Sequence, residues 1–198
     1  MNPTNLFAPR SLLLSVAGLV LISSVAGCDR AGTSTVAQGR IEPAYDKATG
    51  RLTRLSYDSN NNGTLDTWAV MDGAKLTRLE ADENEDGKID RWEHYPATAG
   101  SGGLKQPPER IERATRFDGQ VSRREFFEGG VLVRIEDDTD GNGATDKWET
   151  YAGGELAVVT LDTQGTGKPD RRLIYRPDGS LDHIESDPTG SGEFRVVK

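Results

Sequence analysis

The stretch Asp82-Glu83-Asn84-Glu85-Asp86-Gly87-Lys88-Ile89-Asp90-Arg91-Trp92-Glu93 carries oxygen side chains at its first, third, fifth, ninth and twelfth positions, and glycine at its sixth. A hard divalent cation takes six to eight oxygen ligands, and this spacing wraps a short loop around one ion. Asp82, Asn84 and Asp86 would give side-chain oxygens and Lys88 its backbone carbonyl. Asp90 would bind directly or through water, and Glu93 would close the shell with two oxygens. Gly87 allows the sharp turn that a Cβ obstructs. A second complete match is Asp138, Asp140, Asn142, Gly143, Ala144 (by its carbonyl), Asp146 and Glu149. A third, Asp58, Asn60, Asn62, Gly63 and Asp66, ends on Ala69 where a glutamate is needed. Mg²⁺ fits such loops poorly because it keeps its waters in a tight octahedron, so the ion expected is Ca²⁺.

Around the loops the chain repeats with a period near 24 residues. Each unit runs G-x-L-x-x-L-x-x-D, then the loop, then an aromatic pair spaced W-x-x-Y. The first arm is Gly50, Leu52, Leu55, Asp58, and again Gly73, Leu76, Leu79, Asp82. It returns at Gly130, Leu132, Ile135, Asp138, at Gly154, Leu156, Val159, Asp162, and at Gly179, Leu181, Ile184, Asp187. Trp68, Trp92 and Trp148 share one repeat position, read here as a packing ladder between units. Between Asp82 and Asp138 lies a degenerate unit with Ile111 and Ala114 in its first arm and a shortened loop at Asp118-Gly119. A Pro- and Gly-rich insertion, 96–109, precedes it. The count is about six units, whose loops are numbered in chain order: one from Asp58, two from Asp82, the degenerate third, and four from Asp138. Loops five (Asp162, Gln164, Thr166, Asp170) and six (Asp187, Thr189, Ser191) have lost ligands.

The arms are short, rich in β-branched residues, and bounded by Asp72-Gly73, Gly129-Gly130, Gly153-Gly154 and Asp178-Gly179. Such runs read as strands joined by hairpin turns. The expected fold is all-β: antiparallel hairpin repeats, with acidic loops on one edge and tight turns on the other. L-x-x-L and W-x-x-Y sit awkwardly with the two-residue alternation of a strand. Either both faces carry apolar side chains or a bulge shifts the register. Curled sheet, closed barrel and superhelix all remain open.

The amino terminus reads differently. Arg10 and the α-amine precede an apolar run from Ser11 to Ser24, and Val25-Ala26-Gly27-Cys28 looks like a lipobox. Residues 1–27 are expected to be a lipoprotein signal peptide. Residues 28–44 are expected to be a lipidated cysteine and a flexible tether, and 45–198 the repeat domain. Cys28 is the sole cysteine and would carry the acyl chains that hold the protein on a membrane. Without residues 1–27 the chain has 23 basic and 32 acidic side chains, a balance that argues against nucleic acid as a partner.

On these residues the chain resembles bacterial lipoproteins carrying tandem D-x-[DN]-x-[DN]-G-x-x-D-x-W repeats, over nearly all of 45–198. The loops are similar to EF-hand, dockerin and thrombospondin type 3 calcium loops. Tyr45-Asp46 with Gly50-Arg51-Leu52 resembles the YD repeats of large bacterial surface proteins. The resemblance implies calcium-stabilised scaffolding in the cell envelope, with a protein or glycan partner, rather than catalysis. His94 and His183 fall in different units with no companion ligands, and no phosphate-binding loop occurs. A metal-free adhesion module is the alternative, since Asp, Asn and Gly are also turn formers. Turn chemistry alone does not account for acids at the ninth and twelfth positions.

Overall fold

A computed structural model of the chain describes residues 40–97 and 106–197. The signal peptide, Cys28 and tether residues up to 39, and the centre of the insertion, lie outside the described residues. The strands are β1 Ile41–Tyr45, β2 Leu52–Tyr57, β3 Thr67–Asp72, β4 Lys75–Ala81 and β5 Arg91–His94. After the insertion come β6 Arg110–Arg113, β7 Arg123–Glu128, β8 Val131–Asp137, β9 Lys147–Ala152 and β10 Glu155–Leu161. β11 Arg171–Tyr175, β12 Leu181–Ser186 and β13 Arg195–Val196 complete the series. All 13 form one antiparallel sheet in sequence order, and each contacts only the strands before and after it. The sheet is therefore a meander one layer thick, open at β1 and β13 and not a closed barrel. The all-β hairpin-repeat expectation holds.

The sheet begins at Ile41, which corrects the tether boundary at 44. Ile41-Glu-Pro-Ala44 has no apolar period of its own and becomes a strand through its register with β2, Ile41 opposite Tyr57 and Ala44 opposite Arg54. Pro43 fits this edge. Asp58 N donates to Arg40 O, so Arg40, Glu42 and Ala44 bond inward and the missing N–H of Pro43 faces the unpaired side.

The three-residue spacings have two separate causes. In each Gly-turn hairpin the second strand carries one extra residue: Thr53, Thr77, Val133, Ala157 and Asp182 are skipped by the pairing. Met71 and Ala69, two apart on β3, share a face, so their partners Leu76 and Leu79 share it too, although they lie three apart. W-x-x-Y has no bulge. Trp68 pairs with Glu80 and Met71 with Leu76, which puts the tryptophan on the opposite face.

The two faces differ. On one, a cross-sheet row runs Leu55, Ala69, Leu79, Glu93, Ile111, Glu125, Ile135, Glu149, Val159, Leu173, Ile184. The buried Ala69, Leu76, Ala81, Ile135 and Val159 all lie on this face. Its centre is charged: Arg91 pairs with Glu93, Arg123 Nε lies 2.9 Å from Glu125 Oε1, and Lys147 Nζ lies 2.5 Å from Glu149 Oε1. Tyr95 and Tyr151 donate to Glu93 and Glu149 at 2.6 Å. Phe127 stands at the equivalent place and cannot donate, and there Glu125 also has Arg113 Nε at 3.5 Å. Apart from Arg113 with Glu125, those ion pairs and tyrosine bonds run along single strands, and each cross-strand pair of the row contributes about 0.2–1 kcal/mol, so this thin sheet is held by many small terms.

The other face bears the tryptophans, half-buried and interleaved with charge: Ser56, Trp68, Glu80, Trp92, Glu112, Arg124, Glu136, Trp148. In this row Glu80 on β4 lies between Trp68 and Trp92, and three strands lie between Trp92 and Trp148. Arg54 lies over Trp68, 5.2 Å from the ring centroid.

Candidate metal centre and the aspartate row

The first and ninth loop positions form one row across the tryptophan face. Backbone bonds carry it from Asp66 N to Tyr57 O, Asp82 N to Asp66 O and Asp90 N to Ala81 O, and on to Asp187 N and Asp170 O. The row reads Asp58, Asp66, Asp82, Asp90, Ala114, Ser122, Asp138, Asp146, Asp162, Asp170, Asp187. All its aspartates are buried except the half-buried Asp146. Buried carboxylates are costly unless hydrogen bonds replace lost water, and the loops supply them.

Each first-position aspartate accepts N–H groups from its own loop. Asp58 takes those of Asn62 and Gly63 at 3.1 and 2.7 Å, and Asp82 those of Asp86 and Gly87 at 3.2 and 2.8 Å. Asp162 takes Thr166 and Gly167 at 3.1 and 2.6 Å, and Asp187 takes Gly192 at 2.6 Å and the Thr189 hydroxyl at 2.8 Å. To aim these groups inward, five loops share one backbone. φ is 60–82° at the fourth position (Asn61, Glu85, Gly141, Gly165, Gly190) and 79–100° at the sixth-position glycines. Burial pushes the Asp138, Asp162 and Asp187 carboxyls up, yet the loop N–H and hydroxyl donors outweigh it and hold all three below the ordinary range, Asp187 at about 2.

The ninth-position aspartate latches the second loop residue. Asp66 accepts the Ser59 hydroxyl at 2.9 Å, Asp146 that of Thr139 at 2.7 Å, and Asp170 that of Thr163 at 2.9 Å. In loop two the second residue is Glu83, which has no hydroxyl, and Asp90 Oδ1 is buried with no hydrogen-bond partner. The degenerate unit has lost both acids together: Ala114 replaces one, and Ser122 replaces the other and bonds Thr115 at 2.6 Å.

One loop draws three acids together. Asp138, Asp140 and Asp146 each bring a carboxylate oxygen within 4.8 Å of the other two, a group that could hold a metal ion. Among the described residues no other trio of acidic, histidine or cysteine ligands is this close. Asn142 stands beside it, Nδ2 donating to Asp140 Oδ2 at 3.0 Å, and Ala144 N donates to Asn142 Oδ1 at 2.7 Å. In loop two Asn84 accepts from Asp86 N at 3.1 Å and Asp86 from Lys88 N at 2.9 Å. In loop one, Asn60 and Asn62 direct their amides to Glu85 Oε1 of the next loop at 2.6 and 2.5 Å.

Glu93 and Glu149, expected to close the shells, face the other way. In a helix the ninth and twelfth positions share a side, but in a strand residues three apart point to opposite faces. Both glutamates stand on the leucine face, held by Arg91 with Tyr95 and by Lys147 with Tyr151. The recurring Arg91-x-Glu93-x-Tyr95, Arg123-x-Glu125-x-Phe127 and Lys147-x-Glu149-x-Tyr151 is the sequence signal for that placement. Sequence reasoning also passed over Arg116. It reaches from the degenerate loop to Asp138, Nη2 3.2 Å from Oδ2 and Nη1 3.1 Å from the carbonyl oxygen.

His94 Nε2 lies 2.8 Å from Glu112 and His183 Nδ1 2.7 Å from Asp182, each a pair on the sheet surface. The fold and loops define a class, a single-layer antiparallel repeat sheet with a row of hydrogen-bonded aspartates. No protein-family model and no curated protein matches the chain.

Proposed function

We propose that this chain is a lipid-anchored protein of the bacterial cell envelope, tethered at Cys28, whose repeat sheet is a non-catalytic scaffold with structural Ca²⁺ in its loops. The observation that carries the calcium reading is the convergence of Asp138, Asp140 and Asp146 within 4.8 Å. Three carboxylates this close repel one another, and a dication between them removes the repulsion. Loop one offers no charge at the third and fifth positions, Asn60 and Asn62, and would bind more weakly; loop two offers one, Asp86, as loop four does with Asp140. Affinities of extracellular calcium modules, about 10⁻⁴–10⁻³ M, suit a structural ion in an envelope protein. Calorimetric titration with CaCl₂ tests the reading: binding in that range, lost in Asp138→Asn with Asp140→Asn, is expected, and unchanged binding in that variant contradicts it.

A second reading is a metal-free module presenting its tryptophan face to an envelope protein or glycan. The self-sufficient hydrogen bonding of Asp58, Asp162 and Asp187 within their own loops favours it. Chelator-indifferent folding would select it.

A further inference from the structure

Among the described residues Arg116 makes the one ion pair to a first-position loop aspartate, 3.2 Å to Asp138. A carboxylate offers about four lone-pair sites. Asp138 Oδ1 accepts Gly141 N at 2.8 Å and Asn142 N at 3.1 Å, and Oδ2 accepts Gly143 N at 3.0 Å and Arg116 Nη2 at 3.2 Å. The aspartate is fully subscribed, whereas Asp58 and Asp82, without such a guanidinium, take two loop N–H groups each. Of the four donors on Asp138, three are backbone groups fixed by the loop. Only Arg116 can leave while the loop keeps its fold. Its third polar neighbour, Asp118 Oδ2, is at 3.7 Å and gives it somewhere to go.

Room for Arg116 is built in at Gly141. A Cβ there would meet Arg116 Cζ at 3.3 Å; the same loop position carries Asn61 and Glu85 in loops one and two and glycine in loops five and six, where Gly190 lies against Lys168. The unit that lost its own aspartates thus lends a cation to the next one.

We infer that Arg116 is a tethered counter-cation of Asp138 and that a divalent ion at Asp138, Asp140 and Asp146 must displace it. The guanidinium and the ion are alternative occupants of one acidic site, so Arg116 sets the calcium affinity of loop four and neutralises part of its charge when calcium is scarce. The inference rests on the calcium reading above.

The test is calorimetric titration of the full chain with CaCl₂, comparing the unaltered protein with Arg116→Gln, Arg116→Lys and Gly141→Asn. Losing a charge-assisted competitor should tighten binding about tenfold in Arg116→Gln. Gly141→Asn, which crowds the guanidinium without touching an acid, should shift affinity the same way. Arg116→Lys keeps the charge and should stay near the unaltered value. The gain should vanish when Asp138→Asn is added. Equal, measurable affinities in the unaltered chain and Arg116→Gln overturn the competition and leave the calcium reading standing. No binding by either chain at about 10 mM, beyond the range of extracellular modules, overturns both.

Discussion

Thr163 Oγ1 lies 2.9 Å from each carboxylate oxygen of Asp170, seven residues further along the chain. The contact closes the loop between β10 and β11 at its base, and Ser59 with Asp66 and Thr139 with Asp146 repeat it. The ninth-position acid is therefore a latch on the loop's second residue, in addition to whatever it offers a cation.

Thr163→Val keeps the shape and removes the hydroxyl, leaving a buried carboxylate short of a donor. Stability should fall by about 1–3 kcal/mol, read as a lower urea midpoint at unchanged slope. An unchanged midpoint would mean the latch does nothing.

Phe117 is a non-glycine residue at φ 56° and is largely exposed. Its left-handed conformation costs about 1–2 kcal/mol, partly offset by the larger unfolded-state entropy of glycine. Phe117→Gly should therefore stabilise the protein by about 0.5–1 kcal/mol in chemical denaturation. Destabilisation would show that the ring packs on something that stabilises it.

The depressed carboxyls of Asp138, Asp162 and Asp187 set an acid dependence. A group whose folded pKa is lowered stabilises above its unfolded value, 3.8 here, and loses that contribution as pH falls through the folded value. Melting temperature should decline from about pH 4 toward pH 2, the region where Asp187 takes up its proton. At the alkaline end burial and the hydrogen bond to Glu149 raise the Tyr151 hydroxyl to about 12, so its contribution is present below pH 10 and fades between 10 and 12. Tyr151→Phe should flatten that alkaline loss.

Glu149 and Asp140 make a discriminating pair for calcium. Glu149 is engaged by Lys147 and Tyr151 on the leucine face, while Asp140 is one of the converging three. Asp140→Asn should weaken calcium binding about tenfold, on the order of one lost charge interaction near the surface, and Glu149→Gln should leave it within about twofold. The reverse order would return Glu149 to the shell.

Much of the fold was legible because the signals are local. The 24-residue period, the glycine turns and the β-branched arms specify antiparallel hairpins. The bulges were not, because Thr53, Thr77, Val133, Ala157 and Asp182 share no side-chain chemistry; the turn backbone makes them, and L-x-x-L is their only trace. Strand alternation also decided what Glu93 and Glu149 do: an acid at the twelfth position closes a loop that leads into a helix and faces away from one that leads into a strand. Loops two and four carry the same number of acids, Asn84 and Asp86 against Asp140 and Asn142, so the sequence does not display that only the acids of loop four converge. The contact of Arg116 with Asp138 joins different units, and no spacing within a unit announces it.

Thermal unfolding in 2 mM calcium, a level chosen to exceed affinities of roughly 10⁻⁴–10⁻³ M, then in excess chelator and in magnesium, tests the calcium account most directly. A ligand that binds only the folded state raises the melting temperature, so a clear rise with Ca²⁺ and little with Mg²⁺ is predicted. Identical melts in all three would leave the aspartates as turn formers held by their own loops, contradicting a structural ion.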